Sequence, residues 1–316
     1  MKQKQFETEH AVLWTDIQSI LQGKSPELAA QLPALYRRLC QCLALSGQRG
    51  YSPTLTGYLQ NLVFACHKRL YGASTERPLT LRNWLLQEMP RQVRREWRLL
   101  ALALLGFWGV ALALGWLVWI KPHWAYAFMS PQQLQDFQAM YQPGKMKIGR
   151  GGSESDVMMF GFYIWNNVSI GFRTFAAGIF GGIPALLSII FNGMHLGVVA
   201  SWLGKDPATR ETFSAFVITH ASFEVTGLLL SGVAGMRLGL SLIAPGRLTR
   251  RHAVFAAARA IFPVIVGAAM LTVLAAFVEA FWSASASISP SVKYAVGAGC
   301  WVMLIVFFAL AGRTRR

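Results

Sequence analysis

The sequence predicts an all-α membrane protein, a polytopic bundle of about six transmembrane helices behind an N-terminal cytosolic helical domain. Three observations predict it. Hydrophobic residues make up 54% of the 316 residues and charged residues only 14%, with a mean hydropathy of +0.39. Soluble domains run near a quarter charged, so this chain has too few charges to cover a soluble surface. The apolar residues also gather into runs long enough to cross a hydrocarbon core of about 30 Å. Finally, arginines cluster at the ends of those runs, as cytoplasmic loops require.

Residues 1–98 read as soluble helices. Trp14, Ile17, Ile20 and Leu21 form a one-sided apolar stripe at helical spacing. Gly23 ends that helix, and Ser25-Pro26-Glu27 caps and opens the next. Leu35-Tyr36-Arg37-Arg38-Leu39 continues through Leu43 and Leu45, and Gly47 to Pro53 is a loop. Thr54 to Tyr71 is a third helix, with Leu55, Leu59, Leu62, Val63 and Leu70 as its apolar positions. Gly72 to Pro78 breaks the pattern, and Arg82 to Arg98 is a basic helix that runs into the membrane. Because residues 1–98 are polar, no cleavable leader is expected, and the first apolar run acts as an uncleaved anchor.

The membrane domain is residues 99–316. Leu99 to Ile120 is apolar without a charge and about 33 Å long as a helix. Arg91, Arg94, Arg95 and Arg98 precede it, which places residues 1–98 in the cytoplasm. Residues 121–159 are then an outer segment. Within it, Pro131 to Tyr141 forms a short helix with Leu134, Phe137, Met140 and Tyr141 on one side, suited to the headgroup region. Gly149 to Asp156 reads as a flexible link. The remaining spans are expected at 160–180, 184–203, 213–236, 257–282 and 292–311. Gly181-Gly182-Ile183-Pro184 splits the long run 160–203 into two spans, with a re-entrant pair of half-helices as the alternative. Arg247, Arg250 and Arg251, then Arg313, Arg315 and Arg316, mark further cytoplasmic ends. Both termini are therefore expected inside.

The net charge of +16 fits cytoplasmic segments facing anionic lipid. No zinc-finger, helix-turn-helix or RNA-binding motif supports a nucleic-acid partner. Cys40, Cys42, Cys66 and Cys300 lack metal-ligand spacing and read as reduced thiols. No Walker loop, Gly-x-Ser-x-Gly or His-Glu-x-x-His pattern occurs, and Gly149-Arg150-Gly151-Gly152 lacks the flanking strand and helix of a phosphate cradle. No cofactor and no metal is expected.

Polar residues at membrane depth are costly and usually functional. Arg173, Asn192, His195, His220 and Glu224 fall in one layer, with Asn166 and Asn167 nearer the outer face. His220 and Glu224, four residues apart, share a helix face. The residues suit an Arg173–Glu224 ion pair that locks the bundle. The alternative is a metal site or proton relay of His195, His220 and Glu224 with Arg173 as counter-ion. By depth, Arg173 and Glu224 should meet. Glu279, near the outer end of its span, reads as interfacially solvated. Gly178 and Gly182, Gly193 and Gly197, and Gly235 and Gly239 are pairs that let helices approach closely, and a homodimer is consistent with them.

The sequence resembles the stage II sporulation protein M family of bacterial and archaeal membrane proteins. The likeness rests on Trp14, Leu35-Tyr36-Arg37-Arg38-Leu39 and His67-Lys68-Arg69-Leu70-Tyr71 in the soluble part. In the membrane part it rests on Asn166-Asn167, Phe175-Ala176-Ala177-Gly178-Ile179, Asn192-Gly193, His220-Ala221-Ser222-Phe223-Glu224, Gly232-Val233-Ala234-Gly235 with Arg237-Leu238-Gly239, and Pro245-Gly246. The resemblance implies a membrane platform that places cell-wall-degrading partners, and it supplies no catalytic site. The expected function is thus a non-catalytic scaffold for envelope partners in the cytoplasmic membrane. A transporter or channel using the polar layer, and an intramembrane metalloenzyme, are the alternatives.

Overall fold

The computed structural model describes residues 2–71, 81–144, 147–149 and 155–313. The chain divides into two compact units, Met1–Leu79 and Thr80–Arg316. Both are helical, and among the described residues the only β-pairing is an isolated bridge between Lys147 and Ser285. The breaks expected at 72–78 and 149–156 lie largely outside the described residues, as do Arg315 and Arg316.

The first unit is three helices, α1 (Gln3–Leu21), α2 (Leu32–Gln48) and α3 (Pro53–Tyr71). Each contributes one apolar stripe. Trp14, Ile17 and Ile20 from α1 meet Leu39 and Cys42 from α2 and Leu55, Leu59, Leu62 and Cys66 from α3, all buried. Gly23 stops α1 at a φ of 73°, a conformation only glycine adopts without strain. Gln3 ties the start of α1 to the α3 cap: its Nε2 donates to Ser52 Oγ at 3.0 Å, and its Oε1 accepts from the Ser52 amide at 3.0 Å.

The second unit opens on a helical stretch over Leu81–Glu88 that leads into α4 (Met89–Arg95), then α5 (Trp97–Ile120), which carries a π turn at Leu105–Gly109. It continues through α6 (Pro131–Met140), α7 (Asp156–Ala177), α8 (Ile183–Lys205), α9 (Arg210–Ile243), α10 (Arg250–Ser283) and α11 (Pro290–Leu310). Five of these, α5 and α8 to α11, are long and apolar enough to cross a bilayer. The sixth expected span, α7, is an unbroken helix of 22 residues that is not among the five apolar enough to count as candidate spans. The turn after it bends at Gly181 and Gly182, with φ of 79° and 87°. The helices on either side are full length rather than half-helices.

The basic stretch 81–98, read above with the soluble domain, packs into the membrane unit instead. Met89 and Val93 are buried against Ile261, Val264 and Ala268 of α10. Arg94 Nη1 donates to Phe308 O at 2.7 Å and Arg91 Nη2 to Gly312 O at 3.3 Å, closing the carbonyl end of α11. Arginines that read as lipid-facing therefore also cap another helix, where the negative end of the dipole favours them.

α9 is the centre. It packs against α5, α7, α8, α10 and α11 and is buried on every side, as a helix apolar all round requires. Glycines set how closely its neighbours come. A Cβ on Gly178 would overlap the Gly235 backbone, and one on Gly239 would overlap Gly178 and Gly182; one on Gly235 would stand 2.6 Å from Phe175 O. Likewise, Gly193 and Gly197 of α8 lie against the Phe107 and Ala111 backbone of α5.

Two predictions follow from these packings. Gly239→Ala should destabilise the protein in detergent by at least about 1–3 kcal/mol, the usual penalty of overpacking. Gly299→Ala, with open space around it, should be neutral or slightly stabilising, and denaturation curves of the two variants test the contrast. In the first unit, burial pushes the Cys66 thiol up from 9.0 to about 11. A raised folded value means the stability is fully present below pH 9.0 and lost as pH rises toward 11. The unit's melting temperature should fall across that window in the wild type and less so in Cys66→Ala.

Candidate functional site

A cavity of about 190 Å³, with polar side chains set in a largely apolar wall, sits between α5, α7, α8, α9 and α10. Asn167 of α7, Asn192 and His195 of α8, and His220 and Glu224 of α9 line it, with Phe107, Phe213 and Leu228 as apolar wall. α9 supplies two of these groups from one face because they are four residues apart.

His220 is 4% exposed. Its Nδ1 shares a 3.0 Å hydrogen bond with Ser283 Oγ, which leaves Nε2 facing Glu224 Oε2 at 4.0 Å, beyond hydrogen-bond reach. Glu279 joins from α10: its Oε2 accepts a 3.4 Å hydrogen bond from Asn167 Nδ2, and Asn167 Oδ1 in turn accepts from Asn166 at 2.9 Å. One ligand atom each from His220, Glu224 and Glu279 lies within 4.8 Å of the other two. Asn192 Nδ2 donates along its own helix to Ser188 O at 2.8 Å.

Glu279 and Ser283 stand on a π-helical stretch, Val278–Ser283. Such stretches shift the phase of a helix and are frequent at functional sites. Lys293 closes this end of α10. It is buried, and its Nζ donates to Ser283 O at 2.8 Å and Ser285 O at 2.7 Å.

Residues 121–144 fold over this end of the bundle. The apolar side of α6, expected at the headgroups, turns inward instead: Leu134 and Tyr141 are buried with Val198, Leu203, Phe213 and Phe216. The residues present a better partner than lipid because the ends of α8 and α9 are themselves apolar there. Tyr141 stacks edge-on against Phe216 at 5.6 Å, Phe216 against His220 at 5.0 Å, and Phe137 against His195 at 5.7 Å. Thr212 Oγ1 donates to Tyr141 O and holds the cap down.

Arg173 is not part of the cavity. It is exposed on α7, and its Nε donates to Ser169 O, one turn back, at 3.2 Å. The buried line of α7 is Asn167, Gly171 and Thr174. Arg173 lies about 100° off that line at 3.6 residues per turn, so the expected pairing with Glu224 does not form. Helical rise gave its depth but not its direction. An arginine of α9 does pair with a carboxylate across the unit: Arg237 Nε lies 3.0 Å from Oε1 of Glu96, at the junction of α4 and α5. Glu279, expected to be solvated, is also placed differently: it is buried, on the π stretch. Ser283 and Lys293 carried no signal at all.

An apolar crevice of about 550 Å³ lies beside the cavity, lined by Trp108, Trp116, Trp119 and Trp301. Leu196, Phe213, Val217 and Ala221 form a wall common to both.

These features define a polytopic α-helical membrane protein with a capped polar cavity and a separate helical unit. The chain belongs to the stage II sporulation protein M family, whose model matches residues 99–284. A domain of unknown function, DUF8413, matches residues 4–72. An uncharacterized protein of Methanocaldococcus jannaschii is 29% identical over 73 residues, 23% of this chain and 41% of that relative's length. The match thus spans less than half of that relative. No solved structure matches the chain.

Because Arg173 stands apart from the cavity, Arg173→Gln should leave the yield of folded protein in detergent unchanged. Added to Glu224→Gln, it should leave that variant's yield as it is, because the two side chains have different partners. Size-exclusion profiles of both single variants and the double variant test this.

Proposed function

We propose that the protein is a non-catalytic scaffold of the cytoplasmic membrane, with both termini on the cytoplasmic side, that holds envelope or cell-wall-remodelling partners. The observation that carries this reading is the division into two compact units, one a helical module with its own core and one a membrane bundle. A module that folds around its own core is free to present its outer surface, and Val12, Phe64 and Tyr71 are exposed on this one. Membership of the stage II sporulation protein M family supports the same reading.

What weighs against a channel is the cavity's floor. Away from the cap, α7 and α9 are in backbone contact at Gly178, Gly235 and Gly239, and interlocked backbones oppose a continuous water path. The proposed orientation is supported by Arg91, Arg94, Arg95, Arg98, Arg247, Arg250 and Arg251, all near the ends of the spans that lie away from the cap.

Tagged full-length protein, purified from its native membranes in mild detergent, should bring down a membrane or envelope protein in near-stoichiometric amount. Phe64→Asp, at an exposed position that the core does not use, should sharply reduce that recovery while leaving the yield of the chain intact. Repeated isolation of the chain alone would count against a scaffold.

A further inference from the structure

We propose that His220, Glu224 and Glu279 bind a divalent transition-metal ion of the zinc or manganese type. The inference goes beyond the scaffold reading and does not depend on it.

The geometry carries it. Three side chains of metal-ligating type, from α9 and the π stretch of α10, converge so that their ligand atoms lie within 4.8 Å of one another. Ligand atoms around a tetrahedral ion stand about 3.4 Å apart for bond lengths of 2.0–2.2 Å, a spacing that small side-chain rotations of the two glutamates reach. An imidazole and two carboxylates suit zinc or manganese, and the two carboxylate charges balance a divalent ion.

The imidazole is already oriented as a ligand. His220 is buried, its Nδ1 is engaged by Ser283 Oγ at 3.0 Å, and its Nε2 faces the Glu224 carboxylate at 4.0 Å. A hydrogen bond on the far ring nitrogen is the ordinary support of a metal-bound histidine. Asn167 plays the same part for Glu279, donating to its Oε2 at 3.4 Å. Lys293 does not compete for the carboxylates, because its ammonium is held by the Ser283 and Ser285 carbonyls. Phe216 packs against the imidazole, and excluding water there strengthens the attraction between ion and carboxylates. The adjoining cavity leaves space for a further ligand on the ion.

The test uses the full chain in mild detergent, stripped with a chelator and desalted. It is titrated separately with zinc, manganese and magnesium chloride, reading bound metal by elemental analysis and the melting temperature. One zinc or manganese ion per chain should survive desalting, with a melting temperature that rises as that metal is added, whereas magnesium should do neither. Glu224→Gln should abolish both responses. Ser283→Ala, which removes the orienting hydrogen bond but no ligand, should weaken binding by about 10–100-fold. Arg173→Gln should bind as the wild type does. The proposal is overturned if the wild-type chain retains no metal and melts at one temperature with or without each ion. That result needs no variant to fold. It is equally overturned if Glu224→Gln and Ser283→Ala bind as the wild type does, which would place the metal elsewhere. Either failure leaves the partner-recovery experiment untouched.

Discussion

Backbone-to-backbone contact at glycine is the constraint on which the rest of the membrane unit depends. In lipid there is no hydrophobic force between helices, so association rests on close packing and buried polar bonds. α9 meets α7 where Gly178, Gly235 and Gly239 interlock, and α8 meets α5 at Gly193 and Gly197. Helices this close have little freedom to rotate or slide. Their azimuths are therefore fixed, and with them the choice of which side chains face the interior. Asn167 turns inward and Arg173 outward on the same helix for this reason.

The polar layer is the consequence of holding such groups where water is scarce. Backbone and side-chain polar atoms at that depth must find partners within the bundle. Ser283 shows how economically this is done: its hydroxyl serves His220 while its carbonyl serves Lys293. Lys293, in the first turn of α11, thus becomes the cap of the preceding helix. The π stretch matters here, since it ends α10 with Glu279 and Ser283 both turned to the same interior.

The cap couples the outer segment to this layer. Tyr141, Phe216 and His220 form a continuous aromatic series, and Phe137 reaches His195. Ring contacts of this kind are each worth about 0.5–1.5 kcal/mol beyond their burial. A shift in α6 would therefore be felt at the imidazoles. The same packing explains why the apolar face of α6 is not left for lipid.

Periodicity and hydropathy by themselves determined a great deal. The three-helix core around Trp14, Leu39 and Leu59, the glycine break at 181–182, and the membrane-crossing character of most helices are all local properties, readable because burial imposes a period on the chain. The participation of His220 and Glu224 in one layer was also legible, because four residues is one helical turn. Tertiary structure alone decided the rest. It turned Glu279 inward and Arg173 outward, because depth follows from rise along a helix while direction follows from which neighbour packs against it. It assigned Met89 to Arg95 to the membrane unit, because their partners on α10 and α11 lie far along the chain. It folded α6 onto the bundle, because an amphipathic face records that something apolar covers it but not whether that cover is lipid or protein.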